Sequence, residues 1–173
     1  GEKDTVTMNI AKSGLLQRRR RENILDAADI RLLILSFLQQ QPAHGYELIK
    51  AVENLARGEY TPSPGIIYPA LMLLEEMDAI VPQHPGAGRK SYQLTGYGQQ
   101  LLTDGAAQLE EISARLKMLA IVGRNRNIPQ IERAVHNLKM ALHTRLAEPS
   151  LSTETLYAII DALDDAARRI ERS

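Results

Sequence analysis

Three short helical segments followed by a hairpin-like segment constrain the fold between residues 29 and 95 more than any other feature of the chain. Residues 30–38 are apolar almost all round, with no glycine or proline until Pro42, which predicts a buried helix. Residues 45–55 and about 64–77 carry apolar side chains at helical spacing, and two short strands are predicted at 79–84 and 90–94. This order of elements is the plan of a winged helix-turn-helix, whose third helix enters the major groove of DNA.

The third predicted helix has a clear start at Ser63-Pro64-Gly65. Serine is a favoured N-cap residue, and proline suits the first helical position because its missing N–H would be unpaired there anyway. We therefore expect Ser63 to cap the helix and present its hydroxyl to phosphate, and Gly65 to let the backbone approach DNA closely. The buried stripe of this helix is predicted at Ile67, Ala70, Leu71 and Leu74.

Four sequence blocks resemble the signature of the PadR family of transcriptional regulators. They read HGYEL at 44–48, SPGIIYPAL at 63–71, LE at 74–75 and GRKSYQLT at 88–95. The blocks lie in one collinear run over about residues 29–105, at the spacing of the family. The resemblance implies a winged helix-turn-helix that binds double-stranded DNA, followed by a short C-terminal dimerisation region.

The residues expected to contact DNA lie on the second helix, the third helix and the wing. They are Tyr46, Ser63, Pro64, Gly65, Ile67, Tyr68, Arg89, Lys90 and Ser91. Tyr68 is the leading candidate, because its hydroxyl can donate to a phosphate or a base edge while its ring packs on the sugar–thymine surface. Each assignment has an alternative. Tyr68 could be half-buried on the inner side of its helix, and Tyr46 could pack against the first helix. The charges of the wing could serve solubility alone.

Two positions of the third helix depart from the family pattern. Family members often have Ser or Thr where Ile66 stands, and a basic or polar residue where Leu73 stands. This chain thereby lacks a hydroxyl and a polar group on the helix that reads DNA. We expect the contacts of this helix with DNA to be limited to the DNA backbone, to bridging water molecules or to a thymine methyl group.

The residues after Gly96 predict roughly three amphipathic helices. Thr95 is expected to cap a long helix from about 97 to 121, followed by a helix over 129–146 and another after Ser152. Helices of this number and size hide little apolar surface by themselves, so we expect a second copy of the chain to cover them. The predicted dimer interface consists of Leu109, Ile112, Leu116, Leu156, Ile159, Ile160, Leu163 and Ile170. The alternative is that these helices fold back onto the core of their own monomer.

The predicted fold class is mainly α with a small β-hairpin wing. Residues 1–28 are expected to form a partly disordered N-terminal arm, 29–96 the winged helix-turn-helix, and 97–173 a helical dimerisation or regulatory domain.

The charge balance is unusual for a protein that binds DNA. The formal net charge is zero, and residues 18–95 contain nine basic and nine acidic residues, so long-range attraction to DNA is weak. Phosphate contacts must then be local. Besides the wing cations, the basic run Arg18, Arg19, Arg20 and Arg21 is a candidate arm for the DNA backbone, with a merely solvated arm as the alternative.

Composition also excludes several classes of function. The chain has no cysteine, which excludes disulfides, thiolate catalysis and zinc–thiolate sites. No apolar run approaches the ~18 residues that span a bilayer, so we expect a cytoplasmic protein with no membrane partner. The segment GAGRKS at 86–91 lacks the glycine spacing of a phosphate-binding loop, and neither an enzymatic activity nor a cofactor is predicted.

Together these features predict a homodimeric, sequence-specific repressor that binds a palindromic operator and is released by an effector. An effector held between the C-terminal helices and the winged domain would change the distance between the two reading helices. A small molecule and a metal ion both remain open as effectors, because residues 60–65 resemble a PadR subgroup whose members can carry a metal-linked, His/Cys-rich N-terminal extension. No metal ligand is assigned in this chain: His136 and His143, two helical turns apart, cannot chelate one ion by themselves. A winged-helix protein-interaction module is the other alternative.

Overall fold

The computed structural model describes residues 24–84 and 88–173, which fall into two units divided between Gly123 and Arg124. The basic run Arg18–Arg21 and residues 85–87 at the wing tip lie outside the described residues. The predictions made for the run and for most of the N-terminal arm are therefore not addressed by the structure.

The first unit is mostly helical and contains a small antiparallel sheet. Its elements are α1 (Ala27–Gln40), β1 (Ala43–His44), α2 (Gly45–Leu55), α3 (Pro64–Glu76), β2 (Ile80–Pro82), β3 (Ser91–Leu94), α4 (Gly96–Asp104) and α5 (Ala106–Arg126), which runs three residues past the unit boundary. The predicted fold class is confirmed, and the predicted bounds of α2 match the structure. Helix α1 is apolar almost all round because it packs against α2, α3, α4 and β3.

Reciprocal caps start the first two helices. At α1, the Asp29 N–H donates to Asp26 Oδ1 at 2.8 Å, and the Asp26 N–H donates to Asp29 Oδ2 at 3.1 Å. At α2, the Glu47 N–H donates to His44 Nδ1 at 3.3 Å, and the His44 N–H donates to Glu47 Oε1 at 3.1 Å. Each pair satisfies two backbone donors that the helix itself leaves unpaired.

The sheet contains three strands in the order β1-β3-β2. The wing hairpin pairs Ile80 with Leu94 and Pro82 with Tyr92, as the two predicted strands require. Strand β1 adds Ala43 opposite Tyr92 on the other edge of β3. This third strand was not predicted, because two residues are too few to show the alternation by which a strand is recognised.

The long helix predicted from about 97 to 121 is instead two helices, α4 and α5, separated at Gly105. A Cβ at Gly105 would lie 2.6 Å from Leu32 Cδ2, so glycine allows α4 to approach α1 closely at this point. The predicted cap at α4 is confirmed, because the Gly98 N–H donates to Thr95 Oγ1 at 3.0 Å.

Helix α5 packs onto the winged unit, which corrects part of the predicted dimer interface. Ile112 and Leu116 are 0% exposed and belong to the single-chain core. Leu109 is partly buried against the same core. Two α5 side chains also bind the start of α1: Gln108 donates to Asp29 Oδ1 at 2.9 Å, and Arg115 donates to Asp29 Oδ2 at 3.2 Å. Ile112 and Leu116 are therefore inaccessible to a partner while this unit stays folded.

The second unit consists of α6 (Pro129–Leu146) and α7 (Thr153–Glu171), apart from the end of α5. The bounds of α6 match the prediction, and the Thr155 N–H donates to Ser152 Oγ at 3.1 Å at the start of α7. Neither helix contains a buried residue. Apolar side chains that lie exposed in this unit are Ile128, Ile131, Val135, Leu138, Met140, Tyr157, Ile160, Leu163 and Ile170. Among the described residues, no helix has the length and apolar character needed to cross a bilayer.

Candidate nucleic-acid interface

The start of α3 is bare, as its sequence predicts, but Ser63 does not cap it. Ser63, Pro64 and Gly65 are exposed, and the Ser63 side chain makes no capping hydrogen bond. The Ser63 carbonyl instead accepts from the N–H groups of Ile66 at 3.0 Å and Ile67 at 3.1 Å. A Cβ at Gly65 would meet only Ser63 Oγ, at 3.7 Å, so the space in front of the helix is open.

The turn before α3 is held by a left-handed backbone and one side-chain bond. Arg57 and Gly58 have φ angles of 55° and 81°, a region that glycine adopts without strain. Thr61 Oγ1 donates to Glu53 Oε2 at 2.7 Å. This hydrogen bond, together with Lys50, lowers the pKa of the Glu53 carboxyl, which therefore stays ionised as an acceptor at neutral pH. The contact ties the turn to α2 and so orients the start of α3.

The inner face of α3 is packed and cannot reach a ligand. Ile67, Ala70, Leu71 and Leu74 are buried, as predicted for the apolar stripe. Ile67, which is also among the expected DNA contacts, is 0% exposed. Its place in that set is wrong, because the residue lies on the side of α3 that faces the core.

Tyr68 is 48% exposed, and part of its ring rests on the start of α2. A Cβ at Gly45 would lie 2.5 Å from Tyr68 Cε1 and 3.0 Å from its hydroxyl oxygen. Glycine at position 45 therefore makes room for the tyrosine ring. Tyr68 is therefore not on the buried inner side of α3, and its side chain is accessible although one edge of the ring contacts α2.

Tyr46 is the second residue of α2 and directly follows Gly45, which the Tyr68 ring contacts. It is 54% exposed, so it is not packed away against α1. Its ring stacks on His44 with centroids 6.3 Å apart, and Lys50 Nζ lies 5.6 Å from the ring centroid. The two contacts hold the aromatic ring beside a cation at the surface.

The root of the wing carries a small polar cluster that sequence reasoning missed. Lys90 Nζ lies 4.0 Å from Glu75 Oε1, and the Tyr92 hydroxyl donates to Glu75 Oε2 at 3.4 Å. Burial, with smaller contributions from Glu75 and Tyr68, raises the pKa of Tyr92. Arg89 and Lys90 are exposed, whereas Ser91 is half-buried as the first residue of β3.

Positive charge is scarce around this surface. Residues 24–123 contain seven Lys or Arg and eleven Asp or Glu. Lys90 contacts Glu75 of α3, and Lys50 lies beside Tyr46 on α2. Within residues 24–84 and 88–173, no three His, Asp or Glu side chains are grouped as they would be to hold a metal ion.

A helical core, a β-hairpin wing and a third helix with a bare start define the class of winged helix-turn-helix proteins. Two family models match the chain: "Transcriptional regulator PadR-like family" over residues 34–104, and "YqjI-type transcriptional regulator, C-terminal domain" over residues 129–171. The chain belongs to the PadR-like family of transcriptional regulators. It is a regulator of that family, which acts through DNA, and not an enzyme.

Two relatives compared by sequence agree with this assignment. The Transcriptional regulator YqjI of Escherichia coli K12 is 40% identical over 148 residues, which cover 86% of this chain and 72% of the relative. The Transcriptional regulator Rv3488 of Mycobacterium tuberculosis is 34% identical over 89 residues, or 50% of this chain and 80% of the relative. A PadR family transcription regulator of Clostridium difficile R20291, known from a crystal structure, is 30% identical with a TM-score of 0.40, covering 51% of this chain and 95% of that one.

Proposed function

We propose that this protein is a homodimeric, sequence-specific DNA-binding repressor in which α3 of each protomer enters a major groove. The observation that carries the proposal is the surface that α3 forms with α2 near its start and with the wing near its end. Tyr68 touches the start of α2 beside Tyr46, and Glu75 near the end of α3 contacts Lys90 and Tyr92 of the wing. Reading helix, bracing helix and wing thus form one surface, the arrangement that a duplex requires.

The chemistry of this surface suits a phosphate backbone. The N–H groups of Ile66 and Ile67 already donate to the Ser63 carbonyl, so the Gly65 N–H and the positive end of the helix dipole are left at the start of α3 to attract phosphate. The Ser63 and Tyr68 hydroxyls add donors on α3, and the exposed Arg89 and Lys90 add donors on the wing. Because acidic residues outnumber basic ones over residues 24–123, affinity depends on these local groups and, we propose, on Arg18–Arg21.

The second unit supports a dimer. Most of its apolar side chains stay exposed within the unit, and exposed apolar surface of this extent marks an interaction site. We propose that a second copy covers α7 through Leu156, Ile159, Ile160, Leu163 and Ile170. Leu109, in the first unit, remains a proposed interface residue because it is only partly buried. Residues 29–96 would then bind DNA, and residues 97–173 would form the dimer. Ile112 and Leu116 are not part of the proposed dimer interface, because they are core residues. Two-fold symmetry presents two reading helices to a palindromic operator.

Repression would follow from occupation of promoter DNA, and an effector would release the protein by favouring a dimer in which the two helices no longer match the operator.

A second candidate function is a protein-interaction module. The observations that favour it are the acidic excess and the apolar exposed face of α3, with Met72 at 62% exposure.

Selection of duplexes from a random-sequence pool, followed by a binding titration, separates the two functions. A winged-helix regulator enriches a palindromic site and binds it in a salt-dependent manner, whereas a protein-interaction module enriches nothing. Tyr68→Ala should then cost about 1–3 kcal/mol of specific binding. Tyr97→Ala is the matched control, since Tyr97 on α4 is also 48% exposed and should leave affinity unchanged. Full retention of affinity by Tyr68→Ala would remove Tyr68 from the contact surface.

A further inference from the structure

We infer that Ile66 determines operator specificity by contacting the 5-methyl group of a thymine in the major groove. The inference rests on the proposed function and names what the reading helix recognises. It starts from a property of α3 that the general fold does not explain: the exposed face of this helix is almost entirely apolar.

The composition of α3 excludes the usual way of reading bases. Between Pro64 and Leu74, Tyr68 is the only residue whose side chain carries an N–H or O–H group. Direct readout of guanine or adenine relies on bidentate contacts from Arg, Lys, Asn or Gln, and this stretch has none of them. The large side chains that face outward, in order of exposure, are Met72 at 62%, Tyr68 at 48%, Ile66 and Leu73 at 39%, and Met77, the C-cap, at 38%.

Ile66 occupies the position on α3 from which a side chain reaches a base edge. It is the third residue of the helix, and the N-terminal residues of a reading helix are the ones that contact bases. Its neighbour Ile67 is fully buried and so fixes this turn of the helix to the core. A β-branched side chain is also stiff at χ1, which means that little conformational entropy is lost when it is held against DNA.

The partner that fits an apolar, stiff side chain is defined by the chemistry of the groove. Among the base edges exposed in the major groove, only thymine presents a methyl group, and the other groups are donors and acceptors. The free energy of burying one methyl group corresponds to about a fourfold change in affinity. Removing one methyl group therefore weakens binding about fourfold, and removing one from each half-site weakens it about 16-fold.

Replacement of thymine by deoxyuridine tests this inference, because the two bases differ only in the 5-methyl group. The selected operator is synthesised with each thymine replaced in turn, symmetrically in both half-sites, and affinities are measured by fluorescence anisotropy. The wild-type protein should lose about 16-fold in affinity at one symmetric position. Ile66→Ala should bind the thymine and deoxyuridine duplexes equally at that position.

Met77→Ala is the matched control, since Met77 is 38% exposed and follows the last residue of the same helix. That variant should discriminate between the duplexes as the wild type does. Thermal melting checks that Ile66→Ala is folded, as expected for an exposed position. A selected operator at which no deoxyuridine substitution weakens the wild type, or at which Ile66→Ala keeps the full discrimination, overturns the inference and leaves the proposed function standing. Failure to select any operator would overturn the proposed function and this inference together.

Discussion

The two units of this protein use amphipathic helices in opposite ways. In the first unit, helices α1 to α5 close around one core, in which side chains such as Ile34, Leu48 and Ile112 are fully buried. In the second unit, α6 and α7 are equally well-formed helices, but neither buries a single residue. The first unit buries its apolar side chains within its own chain, whereas we propose that a second copy covers the apolar stripe of the second unit.

This difference separates two tasks that the proposed function combines. The unit with a closed core can hold a reading helix in a fixed position, because packing contacts within this unit fix the backbone of α3. The unit without a core is suited to the proposed pairing, because contact between two copies would bury the apolar side chains that it leaves exposed. Substitutions should therefore affect assembly, stability or DNA binding according to the unit and surface in which they lie.

The largest effect is expected on α7. Ile160→Lys combined with Leu163→Lys places two charges in the proposed interface and should raise the dimer dissociation constant by about a hundredfold or more, or ~3 kcal/mol. Sedimentation velocity over a range of concentrations measures this constant. Asp165→Lys is the control, since Asp165 is an exposed charged residue of the same helix outside the proposed interface, and this variant should leave the dimer intact. A double variant that stays dimeric would place the interface elsewhere.

A smaller effect is expected at Asp29, which joins α1 to α5 inside the first unit. It is 4% exposed and binds both Gln108 and Arg115. Asp29→Asn should lower the free energy of unfolding by about 2 kcal/mol, because it removes a charged acceptor from buried hydrogen bonds. Denaturant unfolding measures the change, and Asp104→Asn, at an exposed carboxylate on α4 that accepts from Gln100, is the control. Equal stability of the two variants would contradict the role of this network.

The same carboxylate has a pH signature with a definite sign. Burial acts to raise the pKa of the Asp29 carboxyl, but hydrogen bonds from Gln108 and the Asp26 N–H, and the nearby Arg115, outweigh it and hold the pKa below the ordinary 3.8. A lowered pKa in the folded state contributes stability above about pH 4, and that contribution is lost as the pH falls through the folded-state pKa. Asp29→Asn should remove this part of the acid dependence, which denaturant unfolding at several pH values measures.

The smallest of these effects is expected at the wing. Arg89→Ala combined with Lys90→Ala should weaken binding to all DNA sequences by about tenfold and reduce the salt slope by about 1 for each phosphate that is no longer neutralised. Binding isotherms at several salt concentrations give the slope. The control is Arg124→Ala combined with Arg126→Ala, which removes the same charge from exposed positions at the end of α5 that belong to the second unit. An unchanged slope in the wing variant would show that the wing does not contact phosphate.

Local signals in the sequence predicted most of the fold. The helical period and the capping residues predicted α2, α6 and the start of α4, where Thr95 caps as expected. The errors arose where local and long-range effects compete. Ser63 has the residue type and position of a cap, yet its side chain does not make the bond, and β1 is too short to leave a pattern.

The candidate site was predicted less completely, because a helical stripe shows that a side chain is apolar but not what covers it. Ile112 and Ile160 follow the same period in the sequence, but one lies in the monomer core and the other is exposed. Ile67 was assigned to DNA by its place in a motif, although its place in the stripe required burial. The contacts of Glu75 with Lys90 and Tyr92 join residues distant in sequence and left no local signal.

Two copies of α3 must be presented to one duplex at the spacing of one helical turn for the proposed function to hold. Because the chain has no cysteine, Glu76→Cys introduces one spin label per protomer, on an exposed position at the end of α3. Electron–electron double resonance then measures the distance between the labels, both in the free protein and bound to the selected duplex. We expect a distance of roughly 30–45 Å in the complex, since reading helices one turn apart lie about 34 Å from each other. A missing dipolar signal, or a separation that no single duplex accommodates, would contradict the proposed function.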